Sequence, residues 1–394
     1  MRPRSTFALL GRCGLAVSAL FIASNAAQAG NGSQPSKTAV NTPPYLQIDL
    51  RDLGYRPQQE YHYPGSGIPR DLSVLFDDYN LRLTFIDEKT SAVYQSHYPA
   101  PSETNPVPSR SMEGFFVNTK SGALISRKTW STSKRKWLNE RWDTQARILA
   151  VEKGFVVHAG NSLALYSGDL SKRANLQLDD HLSWAATVAP MGRTIHLEQI
   201  DRERSDGMAN GEWLDSSDLT KLWEQQELAG VVSSSDCATV DKLADCLQLQ
   251  VVGESPRNLY CLEPCRRGLP EVLSENEVLA EYYEGFCVLA INGERLWGRE
   301  TTKDKNRLII ENHKRSLDGN RFVISVRGEH HTVFDEIKVG NRHLEILVYD
   351  SATRSQIFQL DLGTPVERID FDLSPDGSVL AVLQGKVVRF YRIP

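Results

Sequence analysis

The sequence predicts an all-β protein, a single β-propeller of seven blades, with eight as the alternative count. Three observations carry that expectation. From about Leu72 onward one unit recurs: an apolar strand, a polar turn, then a second apolar strand. Successive turns lie roughly 40 to 50 residues apart, which is the spacing of four-stranded blades. The chain also ends on three strands without a fourth, while a lone strand, Tyr45 to Leu50, opens the folded part. With 394 residues, 40% of them hydrophobic, the chain can bury a core of that size.

The N-terminus reads as a secretory signal peptide over residues 1–29. Arg2, Arg4 and Arg12 form a basic region, Gly14 to Ser24 an apolar one, and Ala27-Gln28-Ala29 a small-x-small cleavage site. The apolar run is too short to span a bilayer. Cleavage removes three arginines and no acid, so the formal net charge moves from −5 to −8. A mildly acidic, exported chain of this kind is a poor binder of nucleic acid or anionic membrane, and no membrane insertion is expected. Residues 30–44 are polar, contain proline and lack periodicity, as a flexible tail does. The propeller is then expected over 45–394, as a monomer, secreted or periplasmic.

Hairpins follow in order, each flanked by β-branched and aromatic residues. Their turns fall at Asp87 to Thr90, Gly168 to Lys172, Asp215 to Asp218, Asn292-Gly293 and Asp350 to Thr353. Poorer copies centre on Ser131 and Gly253. A second recurring element is a turn that opens a strand. Its clean form is Ser374-Pro375-Asp376-Gly377; degraded forms are Ala189-Pro190-Met191-Gly192 and Ser316-Leu317-Asp318-Gly319. Proline fixes φ at the first turn position and glycine supplies a positive φ at the last. Helical windows are scarce, and the best, Ala238 to Gln248, reads equally well as strand and loop. The terminal strands "RIDFDL", "SVLAVLQ" and "VVRFYRI" make three parts of a blade that Tyr45 to Leu50 would complete. That pairing closes the ring and removes its open edges.

The stretch from Leu344 to Pro394 resembles the repeats of exported WD-repeat-like and YVTN-type β-propeller proteins, commonest in bacteria. Such a repeat runs Ser-Pro-Asp-Gly, strand, strand, Asp-x-x-Thr, strand. The resemblance is best over about the last eighty residues, and it implies a propeller that binds partners through its loops.

Candidate sites come from side-chain chemistry. Glu329, His330 and His331, joined by His343, could bind a divalent metal, although neighbouring strand residues face opposite ways. Trp130, Arg135, Trp137 and Trp142 interleave base and aromatic ring as a binding surface does, while strand alternation produces the same pattern in a blade core. In an oxidising compartment, Cys237–Cys246 and Cys261–Cys265 are candidate disulfides, leaving Cys287 as a buried small hydrophobe. Three longer loops are expected: Tyr98 to Ser111, Asp201 to Gly211 and Arg327 to His343. No nucleophile elbow, zinc-protease motif or phosphate loop occurs. The expected function is a non-enzymatic binding or protein-interaction module without a cofactor, its ligand a protein or small molecule. The alternative is a hydrolase or lactonase-like enzyme with a divalent metal in the central channel.

Overall fold

The computed structural model describes residues 42–56, 81–97, 111–131, 146–179, 183–200, 209–228, 233–236, 238–243, 246–260, 270–282, 285–300, 306–330, 344–363 and 369–394. They form seven four-stranded antiparallel sheets, which are the blades. Blade 7 begins with β1 (Leu46–Asp49), the first strand of the described residues. Blade 1 follows, with β2 (Arg82–Asp87), β3 (Thr90–His97), β4 (Ser111–Asn118) and β5 (Leu124–Ser131). Blade 2 holds β6 (Ala146–Val151), β7 (Gly154–Ala159), β8 (Ser162–Tyr166) and β9 (Lys172–Gln177). Blade 3 holds β10 (Ser183–Val188), β11 (Thr194–Ile200), β12 (Ala209–Asp215) and β13 (Lys221–Leu228). Blade 4 holds β14 (Ser233–Ser234), β15 (Ala238–Leu243), β16 (Cys246–Val251) and β17 (Arg257–Tyr260).

Blade 5 holds β18 (Glu271–Ser274), β19 (Glu277–Tyr282), β20 (Gly285–Ala290) and β21 (Arg295–Glu300). Blade 6 holds β22 (Asn306–Arg315), β23 (Arg321–His330), β24 (Leu344–Asp350) and β25 (Ser355–Asp361). Blade 7 is completed by β26 (Ile369–Leu373), β27 (Val379–Gln384) and β28 (Val387–Arg392). The first strand of each blade is innermost. β26 lies beside β2, β2 beside β6, β6 beside β10, and so on around a central channel.

The expected closure is present. β1 pairs antiparallel with β28, Leu46 opposite Phe390 and Asp49 opposite Val387. Hydrogen bonds from the Tyr45 amide to the Phe390 carbonyl and from the Leu50 amide to the Lys386 carbonyl extend the pairing at both ends. Two ends of the chain thus share one sheet, and Ile48 and Leu50 join the core between blades 7 and 1. Five such cores follow, between blades 1 and 2, 2 and 3, 4 and 5, 5 and 6, and 6 and 7. Blade strands sandwiched this way bury both faces, so β7 and β20 are buried at every position.

One expectation changes, and one open reading is settled. Ser131 is not a hairpin turn but the last residue of β5, which pairs along its length with β4. The alternation around Trp130 belongs to an outer strand, which is half-exposed and therefore alternates as a hairpin arm does. Gly253, by contrast, does sit in a hairpin, between β16 and β17. The ambiguous window Ala238 to Gln248 is strand, β15 turning into β16. Seven blades therefore stand, without the Ser131 copy, because the terminal strands form a full blade with β1.

Candidate functional site

The strongest concentration of charge lies where the inner strands of blades 5, 6, 7 and 1 meet. β22 ends Asn312-His313-Lys314-Arg315, a polar run in a strand flanked by neighbours on both sides. Alternate residues must face alternate blades. Lys314 turns toward blade 7, where its Nζ lies 3.4 Å from Asp370 Oδ1, and it donates to the Leu83 carbonyl at 3.1 Å. Asp370 and Asp372, on β26, accept the β2 amides of Leu83 and Phe85, each at 2.8 Å. These inner strands are thus joined by side chain to backbone.

The odd residues face blade 5. His313 Nδ1 is 2.6 Å from Glu281 Oε1, and its Nε2 is 3.5 Å from Glu271 Oε2. Arg315 Nε is 3.4 Å from Glu271 Oε1, while its Nη2 donates to the Val188 carbonyl of blade 3 at 2.9 Å. Burial opposes the charge on His313, but the hydrogen bonds it donates to the two glutamates outweigh it and push the pKa up to about 10. Burial raises the Glu271 carboxyl, yet His313 and Arg315 hold it below the usual range. Lys314 loses solvation as well, and Asp370 and Asp372 still raise it. Asp372 goes the other way: burial raises it despite Lys314.

Two adjoining cavities, of about 390 and 300 Å³, follow this cluster along the channel and share Thr84, Arg147, Leu149, Lys314 and Asp372. The strand-opening turns meet at one end. The Asp318 amide donates to the Pro375 carbonyl at 3.1 Å, and the Met191 amide to the Leu317 carbonyl at 2.8 Å. Blades 3 and 6 are not neighbours, so the second bond crosses the axis. Within the turns, Ser374 Oγ donates to Asp376 Oδ1 and accepts the Val379 amide; Ser316 does the same with Asp318 and Arg321. The proline of the clean copy is dispensable, since Ser-Leu-Asp-Gly keeps the same bonds.

Of the residues singled out by sequence, Trp130 is placed in the packing between blades 1 and 2. Its Nε1 donates to Tyr166 Oη at 3.0 Å, and its ring meets Phe116 edge-on. Arg135, Trp137 and Trp142 lie outside the described residues, as do His331, His343, Cys237, Cys261 and Cys265. Most of the three longer loops lies outside them too. Glu329 and His330 end β23, opposite Arg307 and Asn306. Cys246 opens β16 opposite Leu243. Cys287 is buried in the core between blades 4 and 5, as a small hydrophobe.

The channel cluster itself was not singled out from sequence. Its signal was nonetheless there: "NHKR" and "DFD" place charges in strands whose two faces are both covered, and such charges must find partners.

No protein-family model matches this sequence, and no curated protein matches it. Solved structures do. A chain of a mitotic checkpoint complex crystal structure aligns with a TM-score of 0.50 at 13% identity, covering 94% of this chain and 98% of that one. The fold is shared. The WD40 domain of Neurospora crassa Pan2 aligns at 0.43 and 9% identity, over 80% of this chain and 91% of its own. BamB from Moraxella catarrhalis aligns at 0.34 and 12% identity, over 64% and 89%.

Proposed function

We propose that this protein is an exported, non-enzymatic propeller that binds a protein partner. One observation carries the reading: the charged groups of the channel are engaged in joining blades. Asp370 and Asp372 hold β2 amides, His313 sits between two glutamates, and Arg315 reaches a blade 3 carbonyl. A catalytic acid or base needs a lone pair or proton available to substrate. A frame of this kind instead leaves recognition to the outer surface.

The outer rim offers a contact. Tyr45, just before the closing strand, is 37% exposed, and Leu124 and Ile125, on the outer strand of blade 1, are 40% and 48% exposed. The Tyr45 hydroxyl donates to the Thr119 carbonyl at 3.0 Å, in the turn that leads to Leu124, so these side chains share the junction of blades 7 and 1. Apolar groups gathered on a rim are what a protein partner covers. The test uses the mature protein and its Leu124→Glu/Ile125→Glu variant as baits against envelope extract of the source cells. Expected is a specific partner retained by the parent and lost by the variant at unchanged Tm. Metal-dependent turnover of lactones or glycosides by the purified protein would instead support the hydrolase reading. N-terminal sequencing of protein recovered from those cells should begin near Gly30.

A further inference from the structure

Six of the seven blade junctions hold an apolar core formed by described residues; the junction between blades 3 and 4 does not. Its composition follows from strand alternation. In blade 3, Ile195, Leu197 and Leu214 face blade 2. The alternate positions form a cross-strand row, Thr187, His196, Trp213 and Trp223. This row faces blade 4: Thr187 Oγ1 is 3.1 Å from Ser234 Oγ, and Trp213 Nε1 donates to the Ser235 carbonyl at 3.1 Å. In blade 4, Ala238, Val240 and Leu249 face blade 5. The other face presents Ser234, Thr239 and Gln250, which are opposite one another in register. A two-sided blade should read as a continuous apolar run, yet β16 reads Cys-Leu-Gln-Leu-Gln-Val, with Gln248 and Gln250 at the positions that alternate with its blade 5 face.

The described seam carries buried polar atoms that are incompletely bonded. His196 is 1% exposed and packs edge-on against Trp213, with 4.4 Å between ring centroids. Neither of its ring nitrogens has a hydrogen-bond partner, and the same is true of the buried Trp223 Nε1 and Gln225 Oε1. Gln225 lies on the same face, opposite Gly211 and two pairs beyond Trp223. Buried polar groups left dry cost about 1–3 kcal/mol each. A neutral imidazole offers one donor and one acceptor; the indole adds a donor and the amide an acceptor. Each of these groups can bond to water, which bridges buried polar groups with two to four bonds.

We propose that the junction between blades 3 and 4 is a water-filled seam at which the ring parts first, blade 4 moving away from blade 3. Blade 3 is held elsewhere, by the apolar core with blade 2 and by the cross-channel bonds of Val188 and Met191 to Arg315 and Leu317. Among the described residues, blade 4 has an apolar core with blade 5 alone. Water already present in the seam lowers the cost of opening, because little apolar surface there becomes newly wet.

Native-state hydrogen exchange on the full mature protein tests this, together with a Thr187→Cys/Ser234→Cys variant whose bridge is confirmed by mass under non-reducing conditions. The expected result is that β15 and β16 exchange about tenfold or more faster than β3 and β4, through an opening smaller than global unfolding. Forming the bridge should slow them to the rate of β3 and β4. Uniform exchange across all seven blades would overturn the proposal. So would fast exchange of β15 and β16 that persists with the bridge formed, which would mean that blade 4 unfolds alone. If the variant fails to fold, the ranking in the parent decides. A crystal structure showing ordered water on His196 is expected, and a dry seam would refute the hydration.

Discussion

His196 and His313 are both buried, and opposite surroundings give them opposite protonation. Burial alone drives the His196 pKa down to about 3, so the fold holds it neutral. Its stabilising state is fully populated above the ordinary histidine pKa and is lost as pH falls from about 6.5 toward 3. Denaturant titrations of the parent should therefore lose stability between pH 7 and 4 from this residue, by at most about 3 kcal/mol because water in the seam restores part of the lost solvation. His196→Phe should flatten that slope, and an unchanged slope would show that His196 takes a proton without opening the fold. His313 has the reverse sign. With a folded pKa of about 10, its contribution is complete below about 6.5 and is lost as pH rises through 10. His313→Gln leaves Glu271 and Glu281 facing each other and should cost about 3 kcal/mol. Thermal denaturation at pH 7 measures this, and the deficit should shrink above pH 10, where the parent histidine is also neutral.

Among elements, β1 is short and closes the ring. Four residues complete blade 7 and carry Ile48, with Leu50 just beyond, into the core between blades 7 and 1. Deleting residues 45–50 removes two buried side chains worth about 2 kcal/mol each, as well as a full row of strand pairing. A fall in Tm of many degrees is expected, and a truncated chain that unfolds at the parent's temperature would refute the closure. This element was legible because an unpaired terminal strand at each end of a repeat array has one economical solution. The strand-opening turns were equally legible, since Ser374, Asp376 and Gly377 bond within a few residues of one another. β5 was not. Its Leu124 to Ser131 alternation is that of any half-exposed strand, and only its pairing with β4 shows which arm it is.

At the scale of the molecule, seven blades form a ring whose junctions differ in chemistry. Around blades 5, 6, 7 and 1 the inner strands are joined by buried ion pairs and by carboxylates holding backbone amides. Between blades 3 and 4 the described residues meet through hydroxyls, an indole and a backbone carbonyl. Local periodicity determined the class, the blade spacing and the ring closure, because strand alternation and turn chemistry act within a few residues. Partnership across the ring was decided by tertiary structure alone. Lys314 and Leu83 lie 231 residues apart, and Asp370 and Leu83 lie 287 apart. No local pattern encodes which charge in one strand will meet which amide in another. The sequence by itself therefore determined a propeller with charged residues in covered strands; the closed ring decided that those charges join blades, and that one junction was left polar.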